Sequence, residues 1–255
     1  KKNNDYVPVF MIGFPRSGTT LLDTILRSHP SIEVIEEKPT VKNLISSLNK
    51  ASNNFLKNIY NIEEKKIEEI RKVYLNELNS YSRFQEKNKI YIDKLPLNII
   101  YIAEILRIFP NSKFIISVRH PCDCVLSCYM QNFKLNDSMS NFLNLKDAAN
   151  AYDLVMKLFT IYKSKFALNF HEVKYEKLIS NLNYEIKDLL NFLELPWNND
   201  ILKYQKTAFI RERIFTPSYD QVIKPLYTQA SGRWVKYKNK LSNVYPILEP
   251  WIKKL

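Results

Sequence analysis

Gly13-Phe14-Pro15-Arg16-Ser17-Gly18-Thr19-Thr20 is the stretch whose reading decides the fold. It follows an apolar run, Val7 to Ile12, that reads as a buried strand, and it leads into Thr20–Ser28, which reads as a helix. The 255-residue chain holds only three glycines, Gly13, Gly18 and Gly232, and two of them bracket this loop. Strand, glycine loop and helix together aim backbone N–H groups and the positive end of a helix dipole at an anion. The spacing is that of a phosphate-binding P-loop without its lysine: Thr19 stands where lysine is expected, and Arg16 lies inside the loop. Such a loop cradles a phosphate but lacks the equipment for a β,γ-phosphate pair with Mg²⁺.

Outward from the loop, further β-branched apolar runs occur at Ile90–Asp93 and Lys113–Val118, with a weaker one at Ala167–Val173. Helical patterns lie between them at Val41–Tyr60, Ile62–Tyr81, Asn98–Phe109 and Cys122–Phe133, then at Lys146–Lys165 and Tyr175–Leu193. Strands alternating with helices predict an α/β fold, a P-loop-type parallel sheet flanked by helices. The length suits one domain over residues 1–255. Residues 41–85 are helical without motifs and read as an insertion or cap over the sheet. Residues 206–229 lack periodicity and are rich in Pro, Tyr and charge, and a loop that long is usually functional.

The net charge of +12 implies affinity for anions. Most lysines, such as those between Asn61 and Lys72, lie in mixed helical runs that read as solvated faces. Cys122, Cys124 and Cys128 crowd one segment beside His120. An odd, clustered set is a poor disulfide framework and fits no common zinc spacing, so buried thiols in a reducing compartment, and no metal, are expected. No apolar stretch approaches the roughly 20 residues that span a membrane. The chain's start, Lys1-Lys2-Asn3-Asn4-Asp5, leads straight into a strand, which reads as no signal peptide and as a catalytic piece of a longer chain. A cytoplasmic setting is expected; a secretory-pathway lumen is the alternative if an anchor precedes Lys1.

Parallel sheets bind ligands at the carboxyl ends of their strands. Three predicted strand ends carry suitable side chains: the glycine loop with Arg16, then Asp93-Lys94-Leu95-Pro96, then Arg119-His120-Pro121 with Ser127 one to two helical turns on. An arginine at a strand end serves equally well as salt-bridge partner or anion ligand; three cationic strand ends together favour the anion.

These residues resemble a known family. Pro15-Arg16-Ser17-Gly18-Thr19-Thr20 is similar to the 5′-phosphosulfate loop of sulfotransferases, and Arg119 with Ser127 to their 3′-phosphate site. The bacterial sulfotransferase domain often fused to tetratricopeptide repeats is matched by Asp93-Lys94-Leu95-Pro96-Leu97-Asn98, by Leu126–Phe133 and by Ser231-Gly232-Arg233-Trp234. The tyrosylprotein sulfotransferases are similar at Glu36-Glu37 and at Ser218–Pro225. Against that second branch, Gln131 replaces an arginine four residues after the serine, and the branch's disulfides have no counterpart.

The resemblance implies transfer of a sulfuryl group from 3′-phosphoadenosine 5′-phosphosulfate (PAPS) to an acceptor hydroxyl, leaving 3′-phosphoadenosine 5′-phosphate (PAP), without a metal. It assigns Arg16, Ser17, Gly18, Thr19 and Thr20 to the 5′-phosphate, Arg119 and Ser127 to the 3′-phosphate, and Tyr175 to the adenine. It carries Ser218, Gln221, Lys224, Tyr227 and Arg233 onto a segment closing over the nucleotide. Glu37 matches the catalytic base, and Lys94 and Ser218 match residues that stabilise the transferring group. A carboxylate at an apolar lip has its pKa raised and takes a hydroxyl proton; the plain alternative is that Glu36 and Glu37 flank a helix starting near Pro39. The acceptor is a peptide tyrosine, a glycan hydroxyl or a small phenol, and the oligomeric state stays open. Two rival readings are a P-loop kinase, opposed by Thr19 and by Arg119-His120 where a Mg²⁺ carboxylate belongs, and a non-catalytic nucleic-acid-binding module. The second is allowed by the charge, but the basic residues singled out converge on strand ends, so no nucleic-acid partner is expected.

Overall fold

The computed structural model describes residues 7–51, 61–82, 89–210 and 231–255. Five strands, β1 (Val9–Gly13), β2 (Ile32–Glu36), β3 (Ile90–Lys94), β4 (Lys113–Val118) and β5 (Asn169–Lys174), form one parallel sheet in the order β2-β3-β1-β4-β5. Central β1 is buried on both faces, which is why it reads as an unbroken apolar run. Its side chains still alternate. Phe10 and Ile12 pack on one face with Phe114 and Ile116, whereas Val9 and Met11 pack on the other with Ile115.

Helices cover both faces. α1 (Thr19–Arg27) lies on the Met11 face through Leu22, Ile25 and Leu26. α2 (Thr40–Ala51) and α3 (Glu64–Tyr81), the expected helical insertion, cover the Phe10 face through Leu44, Leu48, Ile67 and Tyr74. α4 (Ile102–Ile108) joins them there, followed in the chain by α5 (Pro121–Tyr129) and α6 (Leu145–Lys165), whose Phe159 and Tyr162 reach the same face. α7 (Tyr175–Ser180) and α8 (Leu182–Phe192) return to the Met11 face. α9 (Tyr204–Ile210), α10 (Lys238–Leu241) and α11 (Tyr245–Ile252) complete the described helices. The connection leaving β1 thus runs on one face, and α6, between β4 and β5, on the other. The carboxyl ends of β1 and β4 therefore open the crevice where such sheets take ligands.

Several expected elements differ. β2 was not anticipated: Ile32, Val34 and Ile35 are β-branched and buried, but Glu33 and Glu36 mask the run. The helix expected at Asn98–Phe109 begins as a 3₁₀ turn, Pro96–Tyr101. The helix expected through Phe133 stops at Tyr129. The expected Tyr175–Leu193 helix is two, broken at Asn181, whose side chain caps the second by accepting from the Tyr184 amide. The first residues of the long loop expected from 206 are helical, within Tyr204–Ile210. Residues 211–230 lie outside the described residues, as does the end of the expected Val41–Tyr60 helix.

Candidate active site

The glycine loop forms where β1 meets α1. Gly13 is in register with Ser117 at the end of β4. A Cβ at Gly13 would stand 2.5 Å from the Ser117 carbonyl oxygen, so only glycine lets the two strand ends approach. Gly18 has φ 102, in the left-handed region, and a Cβ there would meet the Tyr175 ring at 2.5 Å. Gly18 also offers α1 no side-chain cap, which leaves the amides of the first turn turned toward the loop. Ser117 Oγ donates to the Ser17 carbonyl at 2.9 Å. The Ser17 hydroxyl is buried with no hydrogen-bond partner among the described residues. A buried, unmatched hydroxyl beside helix N-terminal amides suits a phosphate or sulfate oxygen.

Arg16, itself at φ 68, sends its side chain to the expected 3′-phosphate residues. Its Nε donates to Ser127 Oγ at 3.0 Å, and its carbonyl accepts from Arg119 at 3.1 Å. Arg119 lies over the Tyr175 ring, 4.7 Å from the centroid. Burial, with help from the Arg119 charge, pushes the Arg16 pKa below the ordinary arginine value. The sequence assigned Arg16 to the 5′-phosphate; its backbone is in that loop, but its guanidinium is at Ser127. Two thiols hold these loops: Cys128 Sγ donates to the Pro15 carbonyl at 3.4 Å and Cys124 Sγ to the Arg119 carbonyl at 3.9 Å. Burial pushes the Cys122 and Cys124 thiols up to about 12 and Cys128 well up, so all three are inert, free thiols.

The second half of the crevice is at the end of β3. The Lys94 ammonium is fully buried and lies 3.0 Å from Glu37 Oε1, 3.1 Å from Glu36 Oε1 and 3.9 Å from Asp23 Oδ2. Burial alone would lower the lysine pKa; Asp23, Glu37 and Glu36 outweigh it and raise it, so Lys94 stays charged. Glu37 has φ 49 and its amide donates to the Lys94 carbonyl at 2.8 Å, which turns its side chain out of the strand. A third of the Glu37 side chain is exposed, against 7% for Glu36. The two carboxylates differ as expected, with Glu37 as the accessible one, but its setting is an ion pair and not an apolar lip. Glu37 is close enough to Arg16 for its charge to act on the guanidinium, which joins the two halves of the site.

The structure thus gathers Arg16, Ser17, Gly18, Thr19, Thr20, Arg119, Ser127 and Tyr175 at one end and Lys94 with Glu37 at the other. Arg233 is exposed at the start of a 3₁₀ turn, Arg233–Tyr237. Ser218, Gln221, Lys224 and Tyr227 lie outside the described residues. Asp23 and Asp123 were missed as site residues: Asp23 also pairs with Arg27 in its own helix, which reads as an ordinary i,i+4 bridge, and its contact with Lys94, like those of Asp123 with residues 232 and 234, joins distant segments. His29, buried at the end of α1, is committed elsewhere: its Nε2 pairs with the Pro196 carbonyl at 2.9 Å, and its Nδ1 accepts from the Ser31 amide at 3.1 Å.

A lysine-free glycine loop at the crevice of a parallel sheet, with two arginines and a serine beside it, is a setting suited to an anion. Comparison with known proteins narrows this. A family profile described as "Sulfotransferase family" matches residues 8–199. An uncharacterised protein of Aquifex aeolicus is 30% identical over 97% of the chain, which spans 33% of that protein's length. Protein-tyrosine sulfotransferase 1 of Danio rerio is 24% identical over 91% of the chain and 67% of its own length. The protein-tyrosine sulfotransferase of Drosophila melanogaster is 26% identical over 91% of the chain, which spans 48% of it. Among solved structures, the sulfotransferase domain from the Synechococcus PCC 7002 olefin synthase shares the fold at TM-score 0.62 and 17% identity, covering 92% of this chain and 89% of that one. The chain belongs to the sulfotransferase family.

Proposed function

We propose that this chain transfers a sulfuryl group from PAPS to an acceptor hydroxyl, with a tyrosine phenol as the acceptor to test first. The observation that carries the donor is the convergence of Arg16, Arg119 and Ser127 beside the glycine loop. The names of the zebrafish and fly relatives support the phenol. When bound, PAPS supplies an activated sulfuryl group, whose bond to the 5′-phosphate breaks as the bond to the acceptor oxygen forms.

The chain's own residues divide the remaining work. The loop amides and Thr19–Thr20 hold the 5′ end, and Arg119 and Ser127 hold the 3′-phosphate by charge-assisted hydrogen bonds. Arg16 spans the two. Tyr175, fixed over Arg119, presents its face to the base. Glu37 Oε takes the acceptor proton. Lys94 faces the transferring group; once Glu37 is protonated it still has Glu36 and Asp23, so no isolated buried charge is created. As in phosphoryl transfer, the catalysis is positioning and electrostatics.

Incubation with ³⁵S-PAPS and a tyrosine-containing peptide in EDTA tests the proposal. Label on the peptide with matching PAP release is the expected result. PAP release with label on glycans or small phenols would replace the acceptor. No label transfer to any of the three acceptor classes, with no PAP binding, would overturn the reading.

A further inference from the structure

Asp93 is a buried carboxyl at a strand position where packing alone would favour an apolar residue. Its neighbours Tyr91 and Ile92 belong to the core. Alternation along β3 sends Asp93 to the face covered by α2 and α3, while Lys94 turns to the other face and meets Asp23 of α1. Burying a carboxyl is costly unless partners receive it. Here Oδ2 accepts from the Thr40 hydroxyl at 2.6 Å and from the Tyr74 hydroxyl at 3.0 Å, and all three side chains are buried. Oδ1 is buried without a hydrogen-bond partner among the described residues, so Oδ2 carries the bonding. The Thr40 hydroxyl has a second acceptor in reach, the Lys38 carbonyl, but at 3.4 Å.

Thr40 lies three residues after Glu37. The turn between them is strained at its start, since Glu37, at φ 49, occupies the left-handed region that favours glycine. Two successive residues of β3 grip this turn at its two ends. The Glu37 amide donates to the Lys94 carbonyl at 2.8 Å, and the Thr40 hydroxyl donates to the Asp93 carboxyl. The helical insertion adds its own hold from α3: Tyr74 fixes the accepting oxygen, and Lys38 Nζ lies 5.3 Å from the centroid of the Tyr81 ring. Held by its amide alone, the turn would pivot about that one bond; the second grip removes the freedom. We propose that Asp93 is a positioning residue that, steadied by Tyr74, fixes the Glu37 turn through Thr40 and so sets where the Glu37 carboxylate meets the acceptor. The insertion is then part of the frame of the reaction as well as a cover for the sheet. This rests on the proposed role of Glu37 as the base.

Turnover of the whole chain, read as PAP released from PAPS with the tyrosine-containing peptide, tests this beside PAP affinity by calorimetry. Thr40→Val, which nearly keeps the shape and removes the donor, is expected to lower kcat about 10-fold or more, the scale for a slightly misplaced catalytic group, with PAP affinity within about 2-fold. Thr40→Ser, which restores the hydroxyl, should return most of the lost rate. Asp93→Ala should lose about as much as Thr40→Val, and the double variant no more than about 2-fold beyond either. In a Glu37→Gln background, Thr40→Val should change kcat by less than about 2-fold, because the group it positions no longer acts as a base. A full 10-fold loss on top of Glu37→Gln, or PAP affinity falling in step with the rate, would mean that Thr40 and Asp93 act through the general fold. An unaltered rate in Thr40→Val would mean that the turn needs no anchor; any of these overturns the inference. If Glu37→Gln alone turned over like the unaltered chain, the parent reading of Glu37 would fall, and the inference with it.

Discussion

The two halves of the crevice use their cations differently. At the ends of β1 and β4, Arg16 and Arg119 lie together beside Ser127 and Tyr175. At the end of β3, Lys94 is already surrounded by Asp23, Glu36 and Glu37. The first half is prepared for an anionic nucleotide. In the second the lysine is already paired, and one carboxylate, Glu37, stays partly exposed for chemistry. Binding and turnover should therefore be separable by mutation.

The largest separation is expected at Glu37. Glu37→Gln should lower turnover by about 10²–10⁴, the range for a general base, yet leave PAP affinity within a few-fold. The matched Glu36→Gln change should be mild, since that side chain is turned in against Lys94. Steady-state kinetics beside calorimetry reads both, and a larger effect at Glu36 would reverse their roles.

At Lys94 the expected loss is in folding. Lys94→Met leaves three carboxylates facing one another, and breaking a buried ionic network costs about 3–5 kcal/mol. At roughly 2–4 °C per kcal/mol for a chain near this size, the melting temperature should fall by about 10 °C. An unchanged melting temperature would show that the lysine is not what holds the cluster.

Arg119→Ala probes the other half. It should weaken PAP by about 2–4 kcal/mol and adenosine 5′-phosphosulfate much less, with the melting temperature of the free protein little altered. Equal losses for both nucleotides would make Arg119 a structural residue.

The smallest effect concerns a carboxyl just outside the site. Asp93 accepts from Thr40 at 2.6 Å and from Tyr74 at 3.0 Å, and burial, partly offset by these bonds, raises its pKa to about 6. A carboxyl whose folded pKa is raised adds stability only while protonated. Its contribution is present below pH 4 and is lost as pH rises through about 6. Relative to Asp93→Asn, the unaltered chain should lose stability on the order of 1–3 kcal/mol between pH 4 and 7. Melting curves of the two that run parallel across this range would contradict the assignment.

What could be read in the sequence was what is local. The glycine loop, four of the five strands and the Arg119–Ser127 spacing are patterns within a few residues, and they sufficed for the fold and for half of the site. β2 escaped because its glutamates have partners on β3 and just before it: Glu33 pairs with Lys89, and Glu36, which ends the strand, is kept for Lys94 at the expense of the apolar pattern. The lysine cluster joins residues 23, 36, 37 and 94, and the Asp123 cap joins 123 to 232 and 234, pairings made by strand order and not by spacing. The reach of Arg16 to Ser127 could not be read, because it depends on a left-handed backbone at a non-glycine residue.

The central claim is that the arginine half holds a 3′-phosphorylated adenosine nucleotide without Mg²⁺. Thermal melting with PAP in EDTA, set against ATP with Mg²⁺, tests it most directly. The account predicts stabilisation by PAP, about 2.7 kcal/mol at a hundredfold excess over Kd, and little or none by ATP with Mg²⁺. Stabilisation by ATP with Mg²⁺, and none by PAP in EDTA, would contradict it.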